Sequence, residues 1–330
     1  MIKKLARFWF VQCTLRFVLL LVVSIALMPD ALLLAQERAP RAIPALTMVP
    51  LPGDQVSVCR DGSEIARYHY GGSVPRPFIF PIIGPTGRRL TRMGHPHDPH
   101  GHRHHRSVWV AHHDVSGVDF WADTGRGRIE HVKLESLTDG DEEATLVARN
   151  AWKAEGRGVL LEERRTLRFV DLERDQWLMI VTLELSPPDG DVTLGKTPFG
   201  PLGVRMAKSI GVHDGGGTIR NSAGGVNEKE VLWKPARWVD YSGPISSQDS
   251  AGITLMDHPA NPRHPTIFHV RDDGWMGTSL TYDKPLAIEQ GSTLRLRYGL
   301  YVHRGTPTVE ALDAAWNLFA RLPLPGDRAE

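Results

Sequence analysis

Histidine is concentrated in one stretch, "HPHDPHGHRHHRSVWVAHHD", from His95 to Asp114, which holds eight of the fifteen histidines of the chain. Two prolines and a glycine exclude regular helix and central strand from its first half, so we expect a loop. The part "SVWVAHHD" is typical of a strand whose period of two places His112 on one face, with Trp109 and His113 on the other. Imidazole exchanges protons near neutral pH and binds transition metals. Acid–base chemistry, a metal site and a solvated loop without function therefore all remain open.

Two further stretches carry polar groups in patterns that suit a small hydroxylated ligand. In "DVSGVDFW", Asp119 stands beside Phe120 and Trp121, and such rings stack on the C–H faces of sugars while a carboxylate accepts hydroxyl hydrogen bonds. In "DHPANPRHPTIFHVRDDGW", residues 257–275, three prolines predict a rigid exposed loop before a strand. Rigid loops on a β scaffold commonly carry function.

Several other functions find no support in the sequence. The 39 basic residues against 38 acidic ones give a net charge of +1, which argues against nucleic acid as a partner. The glycine-rich segments match neither nucleotide-binding pattern, and the chain has no GxSxG elbow. Its two cysteines, Cys13 and Cys59, exclude a site built on paired thiolates if the leader is removed.

The hydrophobic pattern predicts the fold class. Short alternating runs such as "TLRLRYGLYV" recur between turn signals, as expected for half-buried strands. Only residues 306–322 have helical period. The prediction is therefore an all-β protein, a large antiparallel β-sandwich with a short C-terminal helix, formed as a single domain by residues 48–325.

The N-terminus is expected to direct the chain out of the cytoplasm. Basic residues precede a stretch of twelve residues, 17–28, that is apolar except for Ser24, which is typical of a signal peptide over residues 1–35. An uncleaved N-terminal membrane anchor is the alternative, and it would be the only contact with a membrane. Residues 36–47 are predicted to be a flexible linker. The expected location is the periplasm or the extracellular space.

The segments "HRHHRSVWVAHHDVSGVDFW", "RWVDYSG" and "DHPANPRHPTIFHVRD" resemble an uncharacterised, often exported bacterial family that carries the automated label "methane oxygenase PmoA". The resemblance covers about residues 75–320. It implies a galactose-mutarotase-like supersandwich and a role in sugar or keto-sugar metabolism. This sequence departs from the family pattern at His113, where glycine is usual. No run of about 18 apolar residues follows residue 35, which disagrees with an integral membrane oxygenase.

Together, the residues and the resemblance predict an exported enzyme that acts on a small carbohydrate as a lyase, hydrolase or epimerase. The predicted acid–base residues are His105, His112 and His264. The predicted substrate-binding residues are Arg106, Trp109, Asp119, Trp121, Arg205, Asp240, Asp257, His258, Asn261 and Arg263. A divalent metal ion on His102, His104 and His112 is an additional hypothesis. The alternatives are a non-catalytic carbohydrate-binding protein and a metal-dependent oxygenase.

Overall fold

A computed structural model describes residues 42–94 and 102–323. The predicted leader or anchor (1–35), residues 36–41 of the predicted linker and the histidines His95, His97 and His100 lie outside the described residues. In the described ranges, no helix is both long enough and apolar enough to cross a membrane. The first strand begins at Leu46, two residues before the predicted start of the domain.

Nineteen strands provide most of the regular secondary structure in the described residues. In chain order, β1 to β19 are Leu46–Leu51, Gln55–Arg60, Ser63–His69, Phe78–Ile82, Val108–Val110, Gly127–Thr138, Glu143–Ala154, Gly158–Asp171, Trp177–Ser186, Val192–Leu194, Leu202–Arg205, Thr218–Asn221, Lys234–Pro235, Trp238–Pro244, Ser250–Asp257, Ile267–Arg271, Trp275–Thr278, Leu286–Ile288 and Leu294–Arg304. The helices α1 to α3 are Val212–Gly215, Asn227–Val231 and Val309–Arg321, and short 3-10 turns lie at Glu173–Asp175 and Lys208–Ile210.

The strands form two large sheets in which every pairing between named strands is antiparallel. The nine-stranded sheet has the order β1-β2-β3-β4-β5-β11-β17-β16-β13, and the eight-stranded sheet has the order β12-β14-β15-β19-β9-β8-β7-β6. A small separate ribbon pairs β10 with β18. The predicted fold class, a large antiparallel β-sandwich with a short C-terminal helix, is confirmed.

Alternation along the strands explains why the sheets pack together. In β7, for example, Leu146 and Ala148 are fully buried, and they belong to the main apolar cluster, which draws residues from both large sheets. The C-terminal helix α3 begins after Thr308, whose side chain accepts a hydrogen bond from the N–H of Ala311, as an N-cap does. Its Leu312 and Phe319 pack in a smaller cluster beside the eight-stranded sheet.

Candidate functional site

The main cavity of the protein lies over the middle of the nine-stranded sheet. Strand register places Trp109, Gly203, Gly277 and His269 in one row across β5, β11, β17 and β16. The two glycines make room for the ring of Trp275, because a Cβ at Gly203 or Gly277 would stand 2.6 or 2.5 Å from that ring. The indole of Trp275 can therefore lie close against the backbone of the sheet, where it forms the aromatic floor of the cavity.

This cavity has a volume of about 610 Å³, within the usual range of small-molecule sites. Its lining combines imidazoles, aromatic rings and carboxylates. It comprises His102, His104, His105, His113, Asp119, Trp121, Ala122, Phe199, His213, Glu228, His269, Arg271, Asp272, Asp273 and Trp275. Five of the predicted site residues are in this set, namely His102, His104, His105, Asp119 and Trp121.

One ionic cluster joins the histidine segment to the turn between β16 and β17. Arg205 donates from Nη1 to Asp273 Oδ1 (2.7 Å) and from Nη2 to Oδ2 (3.0 Å). The Nδ1 atom of His102 lies 3.4 Å from Asp273 Oδ2 and 3.5 Å from Arg205 Nη2. This nitrogen can therefore donate to the carboxylate when it carries a proton and accept from the guanidinium when it does not. Burial would raise the pKa of Asp273, but the hydrogen bonds from His102 and Arg205 outweigh it and hold that pKa well below its usual range.

Arg205 serves this cluster from behind the cavity wall. Its side chain is fully buried and is not part of the cavity lining, although the sequence analysis had predicted a substrate contact. Instead it fixes both oxygens of Asp273. Trp109 is likewise fully buried and lies under the floor, with its ring centroid 5.3 Å from that of Trp275.

Three further histidines are packed into the aromatic lining. The ring of His105 stacks on His102 (4.6 Å, 10°) and also contacts Trp275 (4.9 Å). Burial drives the pKa of His105 far below its usual range, and burial together with the charge of Arg76 lowers the pKa of His104 to about 4. Burial lowers the pKa of His269 to about 3. These imidazoles are therefore neutral at neutral pH.

A second wall is formed by the turn after β5. The Oδ1 atom of Asp119 accepts hydrogen bonds from the N–H groups of Trp121 (2.6 Å) and Ala122 (3.1 Å). Its Oδ2 atom lies 4.0 Å from Nε2 of His113. The turn presents Trp121 to the cavity because its backbone is fixed by the side chain of Asp119.

Arg106 holds this turn beside the histidine segment. Its two terminal nitrogens donate to the two oxygens of Asp123 at 2.7 and 2.6 Å. Arg76, which is fully buried, donates to the same carboxylate (3.3 Å) and to the carbonyl of Phe120 (3.1 Å). Arg106 is not among the cavity-lining residues, so its predicted contact with the substrate is replaced by a structural one.

The opposite rim is held in place from the other sheet. The hydroxyl of Tyr241, on β14, accepts hydrogen bonds from the N–H groups of Val212 and Gly274, each at 3.1 Å. The carbonyls of Arg271 (3.2 Å) and Asp272 (3.0 Å) lie within reach of the proton on this hydroxyl. Burial raises the pKa of Tyr241, so the phenol keeps this proton.

Glu228, at the start of helix α2, extends this rim. One of its carboxylate oxygens lies 3.2 Å from Nε of Arg271. The other accepts from the N–H of Asp272 at 2.8 Å. Both rim residues, Glu228 and Arg271, line the cavity.

His112, predicted to be catalytic and a metal ligand, lies in the core. Its Nδ1 accepts from the N–H of Asp114 (3.2 Å), so its Nε2 donates to Thr281 Oγ1 (2.9 Å). The side chain is 1% exposed, and burial lowers its pKa to about 4. Both ring nitrogens are engaged within the protein, and its neighbour His113 faces the cavity instead.

The predicted residues of the proline-rich loop form a cluster of their own. Asp257 accepts from Nδ1 of His264 (2.7 Å), from Asn261 (2.7 Å) and from the N–H of Thr266 (2.9 Å). The indole N–H of Trp316, on α3, donates to the carbonyl of Asp257 (2.9 Å). This cluster joins the loop to the C-terminal helix, and none of its members lines the main cavity. Of the three predicted acid–base residues, His105 lines the main cavity, whereas His112 and His264 do not.

Three other predicted ligand contacts are also structural. His258 packs edge-on against the ring of Phe319. Arg263 donates to the carbonyls of Leu280 (3.0 Å) and Lys284 (2.6 Å). Asp240 is fully buried and pairs with His303 (2.8 Å), as part of a hydrogen-bonded network inside the eight-stranded sheet.

The predicted metal ligands do not fit a metal ion. His112 lies outside the cavity, with both nitrogens hydrogen-bonded. The rings of His102 and His104 are perpendicular, with centroids 6.3 Å apart. Among residues 42–94 and 102–323, no group of three or more His, Cys, Asp or Glu side chains is arranged to hold a metal.

Sequence reasoning predicted five of the fifteen residues that line the cavity and missed the other ten. The segment "HVRDDGW" supplies His269, Arg271, Asp273 and Trp275, and it follows directly after the loop that was singled out. Its signal was present: period two places His269 and Arg271 on one face, and the turn carries adjacent carboxylates. The proline-rich stretch before it attracted the prediction instead.

Comparison with known proteins assigns this chain to a family. Residues 55–317 match the model of a family described only as a family of unknown function (DUF6807), and the chain belongs to it. The label "methane oxygenase PmoA" forms no part of that description. None of the curated proteins matches the sequence.

Several solved structures are similar at low sequence identity. Heparan sulfate lyase HepC from Pedobacter heparinus is 10% identical (TM-score 0.37), with 77% of this chain and 34% of that one covered. A heparinase III is 12% identical (TM-score 0.36), with 82% and 36% covered. A GalM/aldose epimerase homologue from C. elegans is 8% identical (TM-score 0.31), with 80% and 99% covered. The chain thus spans about a third of the length of the two lyase structures. Likeness at these TM-scores carries no information on substrate or mechanism.

Proposed function

We propose that the main cavity binds a neutral sugar or keto-sugar and that the protein acts on it by acid–base chemistry as a lyase, hydrolase or epimerase. The observation that carries this proposal is the lining of one cavity by flat aromatic rings together with imidazole–carboxylate pairs. Rings provide contact for the C–H faces of a sugar, whereas imidazoles and carboxylates exchange hydrogen bonds and protons with its hydroxyl groups.

The charges of the lining favour a neutral ligand. Four carboxylates line the cavity against one guanidinium, that of Arg271, and Arg205 reaches Asp273 from behind. Carboxylates therefore outnumber guanidinium groups by four to two around this space. A uronate or sulfated sugar would bring further negative charge into a partly desolvated site, which costs free energy. Hydroxyl groups, in contrast, can donate to these carboxylate oxygens.

His102 is the acid–base group that this geometry supports best. In an elimination, its imidazole would take a proton from the carbon next to a carbonyl, and the C–H electrons would form the new C=C bond. The C–O bond to the leaving group would break, and the departing oxygen would take a proton from an acid. Asp273 stabilises the resulting imidazolium, and Arg205 positions Asp273. His113, which lies beside Asp119 in the cavity wall, is available as the acid.

His102→Gln tests this role against a matched control. His264 is also paired with an aspartate but lies outside the cavity, so His264→Gln controls for loss of a His–Asp pair. Both variants are assayed on a panel of neutral glycosides and 3-keto-glycosides, and binding is measured by titration calorimetry. We expect turnover to fall at least 100-fold in His102→Gln, in the range of general acid–base effects, with binding retained. Equal turnover in both variants would refute the role of His102.

A non-catalytic carbohydrate-binding protein is the second candidate. It is favoured by the lowered pKa values of His104 and His105, which keep these imidazoles neutral, so that they donate and accept hydrogen bonds but do not act as proton shuttles. Sugar binding by the wild type without turnover on any member of the panel would support it. No binding of any sugar would overturn both candidates.

A further inference from the structure

We propose that sugar recognition continues outside the main cavity, in a second subsite that holds a neighbouring sugar unit, so that the ligand is a glycoside of two or more units. This inference rests on the proposed function and specifies its substrate class. A hollow of about 340 Å³ provides the space. It is lined by Lys196, Thr197, Pro198, Tyr282 and Asp283.

The hollow adjoins the cavity through one short segment and a series of rings. Pro198 lines the hollow, and the next residue, Phe199, lines the cavity. From Phe199 the ring of His269 is 5.5 Å away, and the indole of Trp233 is 4.3 Å beyond it. The ring of Tyr282 then stacks on Trp233 at 4.9 Å and 26°. A series of ring contacts thus runs from the cavity wall to the hollow.

The backbone of Trp233 is bent into the left-handed region to place this ring. Its φ is 60°, an uncommon conformation for a bulky residue, and its N–H is fixed to the carbonyl of Phe268 (3.0 Å). The indole remains partly exposed although it packs against His269 and Tyr282. Strained backbone of this kind concentrates at ligand sites, where the surrounding structure maintains it.

Buried groups from elsewhere in the protein make the hollow rigid. The N–H of Thr197 donates to the carbonyl of Thr281 (3.1 Å), and His112 holds the Thr281 hydroxyl from the core. Arg263 fixes the following loop through the carbonyls of Leu280 and Lys284. His112 and Arg263 thereby act as positioning residues for the segment that presents Tyr282. A preformed hollow loses little entropy when it binds a ligand.

The side chains at its rim suit hydroxyl groups. Lys196 and Asp283 are exposed and of opposite charge, so the rim offers both donors and acceptors. The partly exposed ring of Tyr282 offers a face for C–H contacts. The hollow thus offers the same combination of an aromatic ring and polar groups as the main cavity. Its lining residue Pro198 is the chain neighbour of Phe199, which lines the cavity.

A chain-length series tests the subsite. The probes are glucose, galactose and mannose with their homodisaccharides and trisaccharides, titrated into the full chain by calorimetry. We expect the wild type to bind the disaccharide of its preferred sugar at least tenfold more tightly than the monosaccharide. In Tyr282→Ala this gain should fall about fivefold, which corresponds to about 1 kcal/mol. Tyr70→Ala removes a partly buried tyrosine at a distant surface and should keep the wild-type gain.

Each outcome decides the proposal. If the monosaccharide binds but a longer chain brings no gain, the second subsite is refuted and the proposed function stands. If Tyr70→Ala and Tyr282→Ala lose the gain equally, the subsite is refuted as well. If no probe binds at all, the proposed function fails and this inference fails with it. Should Tyr282→Ala not fold, Lys196→Ala at the exposed rim must lower the gain instead.

Discussion

Asp273→Asn is expected to destabilise the protein although it changes a single atom. In the wild type, Asp273 takes two hydrogen bonds from Arg205, whose side chain is 0% exposed, whereas the aspartate side chain is 19% exposed. The asparagine keeps the shape but leaves a buried guanidinium without a compensating charge. Breaking a buried pair in this way costs about 3–5 kcal/mol of unfolding free energy. For a chain of this size, that corresponds to a loss in Tm of about 6–10 °C.

Arg205 is fully buried whereas Asp273 is partly exposed, so the two single variants are expected to differ in stability. Arg205→Met leaves a carboxylate that reaches the cavity, where water and His102 can stabilise it, so it should cost less than Asp273→Asn. The double variant, with no buried charge, should be more stable than Asp273→Asn alone. Thermal unfolding followed by circular dichroism at pH 7 compares the three proteins. A melting temperature of Asp273→Asn within 2 °C of the wild type, or a smaller loss than in Arg205→Met, would refute this account.

The same pair gives an expected pH dependence. Because the folded pKa of Asp273 is lowered, its contribution is complete above the unfolded pKa of about 3.9 and decreases as the pH falls further. The difference in Tm between wild type and Asp273→Asn should therefore shrink as the pH falls below about 4. A difference that grows as the pH falls below about 4 would contradict the lowered pKa of Asp273.

Three further predictions concern other parts of the molecule. Gly203→Ala places a methyl group 2.6 Å from the ring of Trp275, so we expect the free energy of unfolding to fall by about 1–3 kcal/mol and sugar binding to weaken. Urea unfolding and calorimetry measure the two effects. Unchanged binding would show that the aromatic floor tolerates displacement of this ring. His264→Gln should lower the Tm by a few degrees without changing turnover, because the cluster around Asp257 joins the loop to the C-terminal helix; a large loss of turnover at unchanged Tm would restore a catalytic role for His264. Buried histidines that are neutral in the fold should make the protein less stable as the pH falls from about 6.5 to about 4, since the unfolded chain binds more protons there; a Tm that stays flat over this range would refute their burial. They are His104, His112, His258 and His269.

The fold could be predicted because its signals are local. Alternation at the start of the run Leu294–Arg304 predicts a strand, although residues 296–303 of this strand are all buried, the polar Arg297 among them. The helical period after Thr308 predicts the closing helix. Which strands pair is a different matter. The order β5-β11-β17-β16 joins segments up to about 160 residues apart along the chain, and no local pattern encodes it. This order creates the cavity.

The site was predicted in part for the same reason. His112 and His113 are adjacent and alternate in direction, but period two does not say which direction is the core, and His112 proved to be the buried one. Arg205 was identified as functional from its charge, whereas its complete burial depends on Asp273 approaching from the turn between β16 and β17. His264 lies in a stretch rich in polar groups, yet the indole that stacks on its ring, that of Trp316 (6.0 Å, 15°), is supplied by the distant C-terminal helix.

The phenol of Tyr241 has a consequence for how the two sheets communicate. It originates in the eight-stranded sheet, yet four backbone groups at the cavity rim depend on its single oxygen. Tyr241→Phe would leave two backbone N–H groups without a hydrogen-bond acceptor. It would also release the hairpin of β16 and β17, which carries Arg271 and Asp273. Ligand occupancy should in turn slow hydrogen exchange along β14, so a change at the mouth of the cavity would register on the far layer of the molecule.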